Sequence, residues 1–151
     1  MKPRSAGFTL IELMMVVVLI AVASAVVSLA LRDPAATQLD QEGARLVALL
    51  EAARTEARAS GLSVSWAPQT GADGVASFRF VGLPASIGLP ANWLASGVSA
   101  EVTGARAVLL GPEPLIGNQR IVLRLNEQQL TLTTDGLGPF VVDAEAAPVQ
   151  R

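Results

Sequence analysis

The chain has 151 residues, a net charge of −2 and 51% hydrophobic residues, and it contains neither cysteine nor histidine. Without these two residue types, Cys or His nucleophiles and the common zinc sites are excluded. The only lysine is Lys2, and the slight excess of acid over base is unlike a nucleic-acid-binding surface. Composition therefore argues against an enzyme, and we expect no metal and no cofactor.

The first 31 residues divide into a short basic leader and a long apolar stretch. Residues 1–7 carry Lys2 and Arg4 and no acid, whereas residues 13–31 carry no charge. A hydrocarbon core about 30 Å thick needs roughly 20 apolar helical residues, so 8–31 is long enough to cross it. The pattern predicts a transmembrane helix whose amino end stays in the cytoplasm.

One carboxylate, Glu12, lies at the start of this apolar stretch. An acid in a membrane helix costs on the order of 3 kcal/mol near the centre and less near an interface, so it usually has a function. Glu12 is either solvated or protonated close to the headgroups, or it has a cationic partner. If the chain is cut after Gly7, the new amino group of Phe8 lies one helical turn from Glu12, and the same ammonium on a neighbouring subunit could pair with it.

Residues 7–12 read Gly-Phe-Thr-Leu-Ile-Glu and, with the basic leader and the apolar stretch, resemble the class III signal of type IV pilins and type II secretion pseudopilins. The resemblance implies that a prepilin peptidase cleaves between Gly7 and Phe8 and methylates the amino group of Phe8. It also implies that Glu12 sets the helix registration during assembly. The implied partners are this peptidase, the inner membrane, and other pilins or pseudopilins contacted through the amino-terminal helix.

A second processing signal competes with this interpretation. The Ala-Ser-Ala sequence at 23–25 has the pattern of a secretory cleavage site, which would release a soluble chain that starts at Val26. Against it, the apolar run continues to Leu31, and Glu12 would lie in a region that is normally uncharged. We therefore favour a single membrane anchor with the carboxyl-terminal domain in the periplasm.

Residues 32–61 are predicted to form a second, amphipathic helix. Asp33 can cap this helix, Pro34 suits its first position, and a glycine at position 61 is typical of its end. Small and apolar residues repeat at steps of three and four, which is a helical period. They are Leu39, Gly43, Leu46, Leu50, Ala53 and Ala57. We expect this stripe to pack against a sheet.

Two pairs of opposite charges accompany the stripe, Glu42 with Arg45 and Glu51 with Arg54. Their spacing of three residues predicts weak ion pairs on the side of the helix that faces away from the sheet. Together with 8–31, the second helix is expected to form one long stalk, about 75 Å in length if it is continuous.

From position 62 onward the pattern changes to period two and to β-branched residues, which predicts a β domain over 62–143. The expected strands are 62–66, 77–81, 98–103, 107–110, 121–125, 130–134 and 140–142. The clearest hairpin joins the fifth and sixth strands through the turn at 126–128. The predicted fold class is thus α+β, with a long amino-terminal helix packed on an antiparallel sheet.

Two segments rich in glycine and proline, 82–97 and 111–117, are predicted to be loops. Either loop could contact secreted cargo or other subunits at a filament tip. Trp93 in the first loop and Trp66 in a strand are expected to be core residues. Residues 144–151 are expected to form a loose tail.

The carboxyl-terminal hairpin, followed by Thr-Asp-Gly at 134–136 and Pro-Phe at 139–140, resembles the H-type minor pseudopilins, the GspH and FimT relatives. This resemblance implies a minor pseudopilin of a type II secretion system. The first alternative is a minor pilin of a type IV pilus that acts in pilus initiation or DNA uptake. A more remote alternative is a membrane-tethered or secreted binding domain.

The remaining charged residues of the β domain favour neither catalysis nor DNA binding. Asp73, Asp135 and Asp143 lie at expected turns or edges, where aspartate usually forms turns and seldom binds calcium. Phosphate binding needs clustered basic residues, and the arginines are few and scattered among acids. They are Arg79, Arg106, Arg120 and Arg124.

Overall fold

The computed structural model describes residues 9–30 and 33–143, with side chains over 9–25 and 33–143. Two compact units divide at Asp33 and Pro34. The described residues of the amino-terminal unit form the helix α1 (Leu10–Ala30). Because Asp33 is not helical, α1 and the following helix are separate elements, and one continuous stalk is not confirmed.

The second unit begins with α2 (Pro34–Ser60), which packs against both sheets of this unit. All six residues of the predicted stripe are buried, so the predicted packing face is confirmed. Gly43 allows a close approach to the sheet, because a Cβ atom there would overlap the side chain of Leu130. Proline is the first helical residue, as expected from its fixed φ.

Seven strands follow, in the order predicted. They are β1 (Val64–Thr70), β2 (Ala76–Val81), β3 (Ser99–Val102), β4 (Val108–Gly111), β5 (Gln119–Leu125), β6 (Gln128–Thr134) and β7 (Val141–Val142). They form a three-stranded sheet in the order β2-β1-β4 and a four-stranded sheet in the order β3-β5-β6-β7. Every pairing is antiparallel, so the predicted α+β class is confirmed.

The first strand is longer than predicted because it continues through Pro68 to Thr70. Proline lacks an N–H donor and is tolerated where a strand has a neighbour on one side only. Beyond Trp66, β1 pairs with β2 alone, and Pro68 lies opposite Phe78. The missing N–H of Pro68 therefore removes no hydrogen bond to a second neighbouring strand.

The turn between β5 and β6 is shorter than predicted. Leu125 pairs directly with Gln128, so the connection has two residues and Gln128 belongs to the strand. Asn126 has a positive φ of 54°, a conformation that asparagine tolerates better than most residues and that two-residue hairpins require. The wrong boundary arose because Gln128 is polar and resembles a turn residue.

Aromatic side chains fill the core beside β1 and β2. Trp66 is fully buried and Trp93 is 8% exposed, which confirms both as core residues. The ring centroid of Phe78 lies 5.8 Å from that of Trp66 and 4.7 Å from that of Trp93. The loop at 82–97 therefore folds back onto β2, where the carbonyl of Ala91 accepts the N–H of Phe78 at 3.0 Å.

Candidate assembly site

The first turn of α1 begins at Thr9. The Thr9 hydroxyl accepts the backbone N–H of Glu12 at 3.3 Å, and the Thr9 carbonyl accepts the N–H of Leu13 at 3.2 Å. This is the geometry of an N-cap, in which a threonine oxygen satisfies a donor that the helix leaves unpaired. The cap holds Glu12 in the first turn, where the helix dipole favours a negative charge.

The carboxylate of Glu12 is exposed. Among residues 9–30 and 33–143, no hydrogen bond or ion pair reaches its oxygen atoms, although its backbone N–H is bonded to Thr9. Over the described residues, the exposed oxygen atoms of Glu12 thus have no partner.

The rest of α1 offers an apolar surface on all sides. Every described side chain over 10–25 is exposed, from Leu10 at 80% to Val16 at 41%. A helix that is apolar all round is stable only when other helices or lipid cover it. The described part of α1 is thus apolar and exposed on every side.

Several predictions concern residues on either side of this helix. Gly7 and Phe8, the predicted cleavage and methylation residues, lie outside the described residues, as do the leader 1–7 and the tail 144–151. Over the ranges that the structure describes, no helix has the length and hydropathy of a membrane span. The predicted single-pass topology of 8–31 is therefore not confirmed.

Glu42 is buried against the sheet domain, contrary to the prediction that it faces away from it. Only 2% of the residue is exposed, and its Oε1 accepts the backbone N–H groups of Leu94 and of Ala95, the latter at 2.7 Å. Arg45 Nη1 lies 3.4 Å from Glu42 Oε2 and donates to the carbonyl of Asn92 at 3.0 Å. One carboxylate and one guanidinium on α2 thus hold the backbone of the loop at 92–95.

Arg54 is the second buried charge on α2, and it was also predicted to face away from the sheet. It is 2% exposed and donates from Nη1 to the carbonyl of Gly138 at 2.6 Å. Its Nη2 donates to the carbonyls of Gly136 at 2.8 Å and Leu137 at 3.2 Å. The predicted partner Glu51 lies 3.8 Å away and accepts the N–H of Phe140 at 3.2 Å.

The positions of Glu42 and Arg54 along the helix indicate that they are buried. The prediction from pairs of opposite charges overlooked this. Glu42 follows Leu39 by three residues, and Arg54 follows Leu50 by four, so both lie on the helical period of the buried stripe. Because both residues are charged, the prediction placed them in solvent. The pairs of opposite charges three residues apart gave each of them a nearby partner. Their main partners are backbone groups far away in the sequence.

Two of the three predicted turn aspartates do form turns. Asp73 Oδ1 accepts the N–H of Val75 at 3.1 Å, and Asp135 Oδ1 accepts the N–H groups of Leu137 at 2.9 Å and Gly138 at 2.7 Å. The bonds from Gly138 and Leu137 hold the pKa of the Asp135 carboxyl below its usual range. In the part of the chain described, no group of three or more acidic residues could hold a metal ion.

Two of the scattered arginines pair with acids. Arg124 Nη1 lies 2.8 Å from Glu101 Oε2, and Arg120 Nη2 lies 3.8 Å from Asp143 Oδ2. These pairings reduce the positive charge that the sheet surface offers to a polyanion. Neither ion pair favours DNA binding by this surface.

Comparison with known proteins found one match to the start of the chain and one to its fold. Residues 2–28 match the family described as the prokaryotic N-terminal methylation motif. The fold is similar to the crystal structure of the type IV minor pilin FimU from Pseudomonas aeruginosa strain PAO1, with a TM-score of 0.52 and 17% sequence identity. The similarity covers 74% of this chain and 92% of that one. No curated protein sequence matches the chain significantly.

The start of the chain is thus similar to the methylation motif, and the fold of the chain is similar to that of a type IV minor pilin. At 17% identity, the likeness to FimU shows the fold alone. The finer assignment to the H-type pseudopilins is not confirmed.

Proposed function

We propose that the chain is a minor structural subunit of a pilus or pseudopilus, anchored in the inner membrane before it is assembled. The observation that carries this proposal is α1, an apolar helix whose described side chains are exposed on all sides, with one carboxylate in its first turn that has no partner among the described residues. A catalytic role would need a constellation of reactive groups, and the buried charges described here, Glu42 and Arg54, bond to backbone groups of the domain. The proposed role is therefore mechanical.

Assembly replaces one apolar surrounding of α1 by another. In the membrane, lipid covers the side chains of 8–31, and in the filament the helices of neighbouring subunits cover them. Dispersion and packing alone do not fix the axial step between such helices, because apolar contacts are not directional. A charge pair between Glu12 and the methylated amino group of Phe8 on a neighbour supplies this registration in our proposal.

The periplasmic domain then presents its loops to other subunits. Glu42 and Arg54 hold the loops at 92–95 and 136–138, and each of these loops carries an exposed leucine. Leu94 is 75% exposed and Leu137 is 65% exposed. Apolar side chains on a loop whose backbone is fixed lose little entropy when they are covered, which favours contact with a partner.

Two assembly systems fit this role. A minor pseudopilin of a type II secretion system follows from the resemblance of the carboxyl-terminal hairpin, whereas the fold similarity to FimU favours a minor pilin of a type IV pilus. Deletion of the gene separates them. Loss of protein secretion with normal pili supports the first, and loss of pili with normal secretion supports the second.

The mass of the mature amino terminus tests the proposed processing. We expect a chain that starts at Phe8 and carries one added methyl group. A chain that starts at Val26 would show secretory cleavage instead, and the proposed anchor would be wrong. An unprocessed chain would also contradict the proposal.

A further inference from the structure

We infer that the side chain of Gln119 closes the outer edge of β4 against a second copy of this chain. Its amide occupies the two backbone groups through which β4 would otherwise pair with the same strand of another molecule. Gln119 acts in this way within the folded domain, independently of the proposed assembly through α1.

The contact between Gln119 and β4 has the form of a strand pairing. The backbone N–H of Leu109 donates to Oε1 of Gln119 at 2.7 Å, and Nε2 of Gln119 donates to the carbonyl of Leu109 at 2.8 Å. In an antiparallel sheet, the two residues of a hydrogen-bonded pair exchange the same two bonds. The side-chain amide therefore takes the place of a residue on a neighbouring strand.

The position of β4 in its sheet explains why these groups need a partner. Among the described strands, β4 is an outer strand of the order β2-β1-β4 and pairs with β1. Leu109 lies opposite Ser65 of β1, but its N–H and carbonyl bond to Gln119 and so point away from β1. Gln119 is the first residue of β5 in the other sheet, and its amide thus joins the two sheets.

The sequence of β4 lacks the features that usually protect an outer strand. Unpaired N–H and C=O groups at an edge are a template for pairing with another chain, and charged residues or proline on the strand commonly prevent it. The residues Val108–Gly111 include no charge and no proline. The side chain of Leu109 is 41% exposed, so the strand also offers apolar surface at this position.

The opposite edge of the same sheet is covered in a similar way. The N–H of Phe78 on β2 donates to the carbonyl of Ala91 at 3.0 Å, and Ser77 forms a bridge with Asn92. At these positions, backbone groups of the loop at 82–97 cover the outer strand β2. The side chain of Gln119 does the same for the outer strand β4.

A second copy of the chain is the partner that fits the edge of β4. Two β4 strands can pair antiparallel about a two-fold axis at Leu109, because each Leu109 offers one donor and one acceptor to the other. This pairing needs the same two groups that Gln119 holds, so the two interactions exclude each other. Gln119 belongs to the same chain as β4, and this raises its effective concentration above that of a second molecule.

The absence of cysteine from the chain allows a test by disulfide cross-linking of the full-length protein in membranes. Leu109→Cys places one thiol at the proposed axis, where paired Cα atoms about 5.5 Å apart lie within reach of a disulfide. We expect little cross-linked dimer while Gln119 is present. Addition of Gln119→Leu, which removes both hydrogen bonds, should raise the initial rate of cross-linking by about tenfold.

Gln119→Asn separates the loss of the hydrogen bonds from the gain of apolar surface. Asparagine keeps the amide group but is one methylene shorter, so it cannot hold both backbone groups of Leu109. We expect Gln119→Asn to raise cross-linking through Leu109→Cys as much as Gln119→Leu does. An increase with Gln119→Leu alone would mean that a new apolar patch causes the association, and the inference would be wrong.

Val75→Cys is the matched control for the position of the thiol. Val75 is 61% exposed and directly precedes β2, at the other side of the three-stranded sheet. We expect cross-linking through Val75→Cys to stay the same when Gln119→Leu is added. An equal increase at positions 75 and 109 would show a general loss of structure, and no increase at 109 would show that the edge stays closed without Gln119. Either result would overturn the inference.

Discussion

The two helices of this protein use charged residues in opposite ways. In α1, the carboxylate of Glu12 is exposed at the start of an apolar helix and has no partner among the described residues. In α2, Glu42 and Arg54 are each 2% exposed and are surrounded by backbone groups of their own domain. The charge on α1 is thus exposed, and the buried charges on α2 bind groups of their own domain.

This difference separates the charges that hold the fold together from the one that we propose to act in assembly. A buried charge is tolerated when hydrogen bonds satisfy it, and its removal then leaves the partner groups unpaired. Removal of an exposed charge with no partner leaves no such groups behind. Substitutions of the buried Glu42 and Arg54 should therefore destabilise the domain, whereas substitution of Glu12 should change only the association of subunits.

The largest effect on stability is expected for Arg54→Met, which keeps most of the side-chain volume. It leaves the carbonyls of Gly136, Leu137 and Gly138 without their donor. We expect the free energy of unfolding to fall by about 3 kcal/mol, because several hydrogen bonds from a buried charge are lost. Urea unfolding of residues 34–151, which form a compact unit by themselves, measures it through tryptophan fluorescence.

Arg58→Met is the matched control for this measurement. Arg58 lies one turn further along α2 and is exposed, with one hydrogen bond of 3.3 Å to the carbonyl of Pro114. We expect its loss to change the free energy of unfolding by about 0.5 kcal/mol or less. Equal effects of the two substitutions would contradict a structural role for the buried arginine.

A smaller loss is expected for Glu42→Ala, which removes the acceptor for two backbone N–H groups of the loop at 92–95. The free energy of unfolding should fall by about 2 kcal/mol, since both hydrogen bonds are only partly buried and water can replace the acceptor. Hydrogen exchange at Leu94 and Ala95 should accelerate more than elsewhere in the domain. The exposed Asp40→Ala on the same helix serves as the control, and protection at 94 and 95 that is unchanged by Glu42→Ala would refute the proposed anchoring of the loop.

The smallest effect concerns the pH dependence of the turn at Asp135. Hydrogen bonds from Gly138 and then Leu137 lower the pKa of this carboxyl in the folded state. A lowered pKa stabilises the fold above the unfolded pKa of about 3.9, and this stabilisation disappears as pH falls through the lower, folded pKa. The melting temperatures of wild type and Asp135→Asn should therefore differ at neutral pH and converge below about pH 4. A difference that stays constant down to low pH would show that the carboxylate charge is not involved.

The main elements of the fold were predictable because they depend on local periodicity. The stripe from Leu39 to Ala57 repeats at helical spacing, and alternation over 121–134 indicates a hairpin with one buried face. The strand boundaries were less accurate at Pro68 and Gln128. At these positions the pairing partners determine whether the residue belongs to a strand, and the partners are not visible in a local pattern.

The contacts that Glu42 and Arg54 of α2 make with distant backbone groups could not be predicted from local periodicity. The acceptors and donors of Glu42 and Arg54 lie 52 to 84 residues away and are backbone groups, which any residue type supplies. No local pattern encodes such a contact. The role of Glu12 stays a prediction, which rests on the cost of a carboxylate in an apolar run.

The most direct test of the assembly role compares Glu12→Gln with Asp40→Asn in cells that build the filament. Both changes remove one exposed carboxylate, but only the first lies in the apolar helix. We predict that Glu12→Gln is inserted, cleaved and folded like wild type and is absent from sheared filaments, whereas Asp40→Asn is incorporated normally. Incorporation of Glu12→Gln at the wild-type level would contradict the pairing of Glu12 with a neighbouring subunit.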